Sequence, residues 1–343
     1  MNLSLYLDGL PSEELPNVAA EADRRGFRDL LKAETIYGDA FTACAAMAMT
    51  TTRMRVGSGI AGVYGRSPVV FAMSAAALAR LSRGRFVLGL GLQSLSYVER
   101  WHGARYRGLE GMREMVVTLR DLLAGQAVND YRLAFPPAAP VPIYTAGLGP
   151  KMIELAGELA DGLLGYFYTP AYIAEVVRPH LEKGARRAGR SLAGVDLTWG
   201  LPALVSDDPR ARDLMRPQVV MYATAASKSY DTIMEVSGFG EALADLRRGL
   251  AKARHIEDVA AIVTDEMLDA FTLCGSVPQV RQRLKALAGT GVDTLYLFPV
   301  PPGHFHPLFK GHFPDTIRIP EPDLVGLRQN IAAILRLPED SHD

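Results

Sequence analysis

The chain has 343 residues, of which 48% are hydrophobic and 22% charged, with a formal net charge of −1. Those values describe an ordinary globular protein with ample apolar material for a large core, and they argue against nucleic acid as a main partner, since phosphate backbones select basic faces. No apolar run reaches the length of a membrane span, no basic and apolar leader opens the chain, and Cys44 and Cys274 are too few for a disulfide framework, so the cytoplasm and two reduced thiols are expected.

Short apolar runs alternate with helix-like segments. Leu3–Leu7 reads as a first strand, followed by a helix from Ser12 to Arg25 with Ser12 as its cap and Gly26 past its end. Residues Phe27–Ala33 form the second strand, and Asp39 caps a helix running to Thr51. A third strand covers Met54–Ile60, and Ser67-Pro68 opens a helix ending near Gly84. Arg85–Gly89 is the fourth strand, with a long loop before a helix over Glu110–Ala124. Tyr131–Phe135 reads as a small extra strand. Ile143–Ala146 and Leu163–Tyr166 are the fifth and sixth strands, with a helix between them. Another helix, Pro170–Ala188, leads to a seventh strand at Asp196–Val205. A mostly helical insertion spans about 207–270, then come a helix at Val277–Ala288, an eighth strand at Asp293–Phe298 and a terminal helix at Asp323–Leu335.

Eight strands alternating with helices predict an α/β fold, a (β/α)8 TIM barrel forming a single domain over residues 1–343. The near-uniform apolar character of the strands fits a parallel sheet covered on both faces. A doubly wound open sheet is disfavoured, because no GxGxxG turn follows the first strand; Gly89-Leu-Gly91 follows the fourth and lacks the third glycine. In a barrel the chemistry gathers at the carboxyl ends of the strands, which directs attention to Asp8, Glu34, Thr35, residues 58–66, 91–94, 147–151 and 166–168, and the stretch beyond Phe298.

The segment Pro142-Ile-Tyr-Thr-Ala-Gly-Leu-Gly-Pro-Lys-Met152 carries the clearest chemical signal. It reads as a strand, a glycine turn and a helix opened by Pro150. Free N–H groups in such a turn suit a phosphate, Gly147 and Gly149 let the backbone come close, and Lys151 adds charge. A tight strand-to-helix turn needs glycine for geometry alone, and that reading stays open beside the first.

Four stretches together resemble the bacterial luciferase-like superfamily, most closely its branch of coenzyme F420 (deazaflavin)-dependent oxidoreductases that includes methylenetetrahydromethanopterin reductase. They are Asp39-Ala-Phe-Thr with Thr52-Arg-Met-Arg-Val-Gly-Ser-Gly-Ile60, Leu81-Ser-Arg-Gly-Arg-Phe-Val-Leu-Gly-Leu-Gly91, Glu99-Arg-Trp-His-Gly103 leading to Met112-Arg-Glu114, and Gly147-Leu-Gly-Pro-Lys-Met with Ala160-Asp-Gly162. The resemblance implies a barrel with insertions, usually dimeric, holding coenzyme F420 or alternatively FMN at its mouth. It implies a non-prolyl cis peptide at Ser58-Gly59 or Gly59-Ile60 that supports the ring, with Gln93 and Ser94 at its polar edges and Gly147, Leu148, Gly149 and Lys151 at its phosphate. Many relatives place a histidine after the second strand, where this chain has Thr35. Glu34, Thr35 and His102 are therefore the candidates for proton transfer, each with an ordinary structural alternative. Arg66 either meets an anionic tail or caps the rim.

Tyr166, His304 and His306 are candidates for the substrate side; the two histidines lack a third ligand at a recognisable spacing, so no metal is expected. The leading functional expectation is hydride transfer between a deazaflavin and a small organic substrate. An FMN-dependent monooxygenase is the alternative, and a non-catalytic ligand-binding barrel is a third, motivated by Thr35. The expected partners are a small molecule and a second copy of the chain, with neither nucleic acid nor membrane.

Overall fold

The structure is a computed structural model that describes residues 1–224, 228–253, 255–302 and 323–338. In chain order the elements are β1 (Asn2–Leu7), α1 (Leu15–Arg24), β2 (Asp29–Lys32), α2 (Ala40–Thr50), β3 (Arg55–Ser58), β4 (Ala61–Gly62), α3 (Pro68–Leu81), β5 (Phe86–Gly91), α4 (Leu95–His102) and α5 (Gly108–Leu123). They continue with β6 (Ile143–Ala146), α6 (Pro150–Leu159), β7 (Gly162–Tyr166), α7 (Pro170–Tyr172), α8 (Arg178–Arg187) and β8 (Asp196–Val205). The rest are α9 (Ala211–Thr224), α10 (Lys228–Val236), α11 (Gly240–Leu250), α12 (Ile256–Ala260), α13 (Asp265–Phe271), β9 (Leu273–Gly275), α14 (Val277–Leu287), β10 (Thr294–Pro299) and α15 (Leu324–Ile334).

The strand order is β10-β1-β2-β3-β5-β6-β7-β8-β9, and β10 also pairs with β8. That closed parallel order, with helices between strands, is the (β/α)8 barrel. Two compact units divide the chain: residues 2–165 with 177–198, and residues 166–176 with 199–343.

In the first unit the strands pair in parallel, with Leu5 opposite Leu30, Val56 opposite Phe86, Leu88 opposite Ile143 and Thr145 opposite Leu163. Every residue of β2 and β5 is buried, as a sheet covered on both faces requires. Gly89 lies so close to the Ser58 carbonyl that no Cβ would fit there, which brings β3 and β5 together. At the amino ends of the strands an ionic network fills the space: Arg55 Nη2 reaches Asp29 at 2.9 Å, Arg28 reaches Asp196 at 2.7 Å, and the Tyr144 hydroxyl donates to Asp196 at 2.5 Å. Outside, α6 and α8 are joined through Glu154, which meets His180 Nδ1 at 2.8 Å, Lys183 at 2.7 Å and Arg187 at 2.9 Å.

In the second unit, β9 pairs with the end of β8, Leu204 opposite Cys274, and the helices α9 to α13 precede it. The apolar interior of this unit is aromatic: Phe167 stacks on Phe271 at 4.5 Å and Tyr222 lies 5.0 Å from Phe167. The Asn330 side chain ties α15 to the strands, accepting from the Val205 amide at 2.8 Å and donating to the carbonyls of Ala203 and Val300.

Several caps fall where the residue types place them: Asp39 accepts from the Thr42 amide at 2.6 Å, Ser67 from Val70 at 3.3 Å and Asp323 from Gly326 at 2.8 Å. Four expectations need correction. Ser12 is not the cap of α1; residues 12–14 make a turn, and Pro16 in the first helical turn sets the start at Leu15. Tyr131–Phe135 is not a strand, because Asn129 (φ 48°) and Asp130 (φ 62°) make a tight turn that leaves a single bridge between Val128 and Tyr131. Residues 95–102 are helix rather than loop, and the expected helix 170–188 contains a π turn at Ile173–Val177.

Candidate active site at the strand ends of the first unit

The site builds up from the ends of β1, β2, β3 and β5, all within the first unit. The β2 chain leaves the sheet at Lys32, and its backbone grips the end of β3 on both sides of a bulge. The Gly59 amide donates to the Lys32 carbonyl at 2.9 Å, and the Glu34 amide donates to the Ile60 carbonyl at 3.1 Å. Between those two bonds lies a cis peptide joining Gly59 and Ile60, one of the two positions expected.

Beyond the bulge, β3 to β5 interlock. The Ile60 side chain fills the space that a Cβ on Gly91 would occupy, and the Gln93 side chain fills the same space at Gly62. Gln93 holds a left-handed backbone, φ 57°, uncommon for a residue with a side chain. Its Oε1 is buried without a hydrogen-bond partner, and so is Oγ1 of Thr145 in β6. A buried polar atom left unpaired costs about 1–3 kcal/mol, so a pair of them near the carboxyl ends of adjacent strands marks where a ligand's polar groups would be received.

The charged residues form two groups. Arg66 bridges Glu34 and Asp39, with its guanidinium over the Phe41 ring at 4.4 Å. It is a rim residue held by two carboxylates. Burial pushes the Glu34 carboxyl above its ordinary range; Arg66 pulls the other way without reversing it, and Asp39 adds to the rise. Burial also acts on Asp39, but hydrogen bonds from Thr42 and the nearby Arg66 outweigh it and hold that carboxyl low.

The second group surrounds Asp8. Lys32, fully buried, places its Nζ 2.9 Å from Asp8 Oδ1 and donates to the Ala33 carbonyl at 2.6 Å. The Thr35 hydroxyl lies 3.0 and 2.9 Å from the two Asp8 oxygens, and accepts from the Tyr37 amide at 3.3 Å. The Tyr37 phenol is pushed up to about 12, first by burial and then by the Asp8 charge. Asp8 is one of the strand-end positions expected near the chemistry, whereas Lys32 and Tyr37 are not among the expected site residues. The available signal was a charged residue closing each of two apolar strands.

The remaining candidates disperse. His102 ends α4, exposed, with its Cε1 3.3 Å from where a Cβ on Gly65 would lie. Ser94 occupies the cap position of α4 without a side-chain capping bond. Tyr166 belongs to the second unit, its ring edge-on to Tyr222 at 4.9 Å and to Phe298 at 5.9 Å. His304 and His306 lie outside the described residues.

The turn at residues 147–151 is only partly the expected cradle. The Gly147 amide donates to Leu164 at 3.2 Å as part of the sheet, and its missing Cβ makes room for Leu163 and the Met152–Ile153 backbone. Packing alone therefore favours glycine there. The amides of Met152 and Ile153 both donate to the Gly149 carbonyl, whereas those of Gly149 and Lys151 have no acceptor among the described residues. Two free donors at the start of a helix, beside the exposed Lys151, remain a fitting seat for an anion.

Residues 5–294 match the family model described as luciferase-like monooxygenase. The chain belongs to that family. A 5,10-methylenetetrahydromethanopterin reductase from Archaeoglobus fulgidus is 32% identical over 260 residues, covering 72% of this chain and 77% of that one. The Methanolobus tindarius protein of the same name is 29% identical over 307 residues, covering 85% and 93%. Among solved structures, the coenzyme F420 dependent tetrahydromethanopterin reductase of Methanopyrus kandleri superposes with a TM-score of 0.71 at 21% identity, covering 87% of this chain and 93% of that one. The family and fold are thus the ones its motifs suggested, and relatives named as F420-dependent are among those it resembles. No helix among the described residues is long and apolar enough to cross a membrane.

Proposed function

We propose that this oxidoreductase is coenzyme F420-dependent and moves a hydride between the deazaflavin and a small organic substrate. The observation that carries the reading is Gln93: a buried, unpartnered amide oxygen held in a left-handed backbone beside the Gly59–Ile60 bulge. The names of the reductase relatives support the choice of cofactor.

When bound, the deazaflavin supplies a ring carbon that gives or takes a hydride as a two-electron unit. Gln93 Oε1 and Thr145 Oγ1 would receive polar edges of that ring. The free amides of Gly149 and Lys151, with the Lys151 ammonium, would hold the phosphate of its tail. The apolar Ile60, packed against Gly91, stiffens the strand ends and helps exclude water. Alignment of this kind supplies much of the catalysis in a hydride transfer, because neither partner needs covalent activation by the protein.

A fluorescence titration tests the assignment. Deazaflavin emission should be quenched with a saturable isotherm while FMN shows no binding. An FMN-dependent monooxygenase is the second reading, favoured by the family's description; saturable FMN binding without deazaflavin binding would establish it in place of the first.

A further inference from the structure

We propose that Asp8 is the proton-accepting group of this site and that it works through the hydroxyl of Thr35. The proposal rests on the hydride-transfer reading and assigns its accompanying proton.

A threonine hydroxyl has one proton to donate and two lone pairs to accept with. In Thr35 the proton lies between Oγ1 and the two Asp8 oxygens, at 3.0 and 2.9 Å. One lone pair takes the Tyr37 amide at 3.3 Å. The second has no partner among the described residues, and it is the position from which a substrate O–H or N–H can be received. Thr35 is also half-exposed to its surroundings rather than sealed in the core, whereas Asp8 and Lys32 are buried.

Lys32 gives the arrangement its direction. Its ammonium, 2.9 Å from Asp8 Oδ1 and 2.6 Å from the Ala33 carbonyl, fixes the carboxylate in place behind the Thr35 hydroxyl. A purely structural pairing of Asp8 with Lys32 would not need Thr35, and a hydroxyl alone is a poor base near neutral pH. The carboxylate behind it supplies the basicity that the hydroxyl lacks. Placement agrees: Thr35 follows Glu34, whose amide holds the Ile60 carbonyl at the bulge.

In the oxidising direction a substrate C–H bond gives its hydride to oxidised deazaflavin. The adjacent O–H or N–H bond gives its proton to Thr35 Oγ1 as the Thr35 proton passes to the Asp8 carboxylate, and a C=O or C=N bond forms. In the reducing direction each transfer reverses. Thr35 touches the substrate; Asp8 acts through it.

Four variants test this. Thr35→Val keeps the shape and removes the hydroxyl, and should slow hydride transfer about 100-fold, a typical contribution of positioned proton transfer. Thr35→Ser should stay within about fivefold of the parent. Asp8→Asn should resemble Thr35→Val, and the double variant should be no slower than about threefold beyond either single, since groups acting as a unit are not additive. Deazaflavin affinity, read by fluorescence, should stay within about twofold for Thr35→Val, because the cofactor seat lies elsewhere. A second readout needs no substrate: in threonine-labelled protein, proton NMR should find the Thr35 hydroxyl exchanging slowly, and Asp8→Asn should speed that exchange at least tenfold. The proposal is overturned if Thr35→Val keeps its rate within threefold, if Thr35→Ser fails to restore it, or if the hydroxyl exchanges equally fast with and without the Asp8 carboxylate. A protein that failed the cofactor titration would refute the hydride reading on its own, while the exchange measurement would still decide the pairing.

Discussion

Gln93 lies across Gly62, its amide occupying the space that a Cβ on Gly62 would need. The obstacle is the end of a flexible side chain, so Gly62→Ala should move Gln93 and leave the fold standing. We expect cofactor affinity to fall about tenfold, the size of one lost polar contact, with the unfolding midpoint changed by less than about 2 °C. The contrasting variant is Gly89→Ala, which meets the Ser58 carbonyl of the neighbouring strand. Backbone cannot step aside as a side chain can, and the midpoint should drop by at least about 5 °C. Equal melting temperatures for the two variants would contradict this division.

The turn after β6 separates in the same way. Lys151 is exposed and its charge is free to act on an anion, so Lys151→Gln should weaken deazaflavin binding about three- to tenfold, with a smaller difference at 0.5 M salt. Gly147→Ala presses on Leu163, Met152 and Ile153 instead, and should reduce stability as well as binding. A titration at two salt concentrations, paired with thermal melts, distinguishes charge from packing.

Arg66 stands between Glu34 and Asp39, and removing it leaves two carboxylates facing each other. Arg66→Gln should cost about 2 kcal/mol, in the range for hydrogen bonds to charged groups. The Glu34 carboxyl, already raised by burial, should titrate still higher once the guanidinium that lowers it is gone. Carbon NMR of labelled glutamate would register a downward movement as a refutation.

Glu154 offers a pH test far from the site. Hydrogen bonds from Lys183 and His180, with Arg187, hold its carboxyl down at about 2, against an ordinary 4.5. Because the folded value lies below the unfolded one, its stabilisation is complete above pH 4.5 and is lost as the pH falls toward 2. Glu154→Gln should therefore melt about 2–4 °C below the parent at pH 7, and the gap should close at pH 2. A gap that stayed constant with pH would mean that the α6–α8 clasp is not ionic.

Local chemistry made much of the barrel legible. Asp39, Ser67 and Asp323 cap helices because a short polar side chain before an apolar helix has one favourable use, and the apolar run at β5 reads as a buried strand, whereas β2 buries two leucines between the charged Asp29 and Lys32. The cis peptide joining Gly59 and Ile60 stands at one of the two positions that the family resemblance implied. The errors are also local. The Asn129–Asp130 turn was hidden among residues that equally suit a strand end, and the apolar face of α4 was too short to announce a helix.

What residue types alone determined is the order of most elements, since periodicity, capping and glycine turns act over a few residues, while the family was legible in the resemblance of four stretches. Which side chains meet was decided only in three dimensions. Asp8 and Thr35 are 27 positions apart, as are Arg66 and Asp39. No local rule pairs them; parallel strands bring their carboxyl ends together, and there burial makes a charge or hydroxyl take the partner that geometry offers.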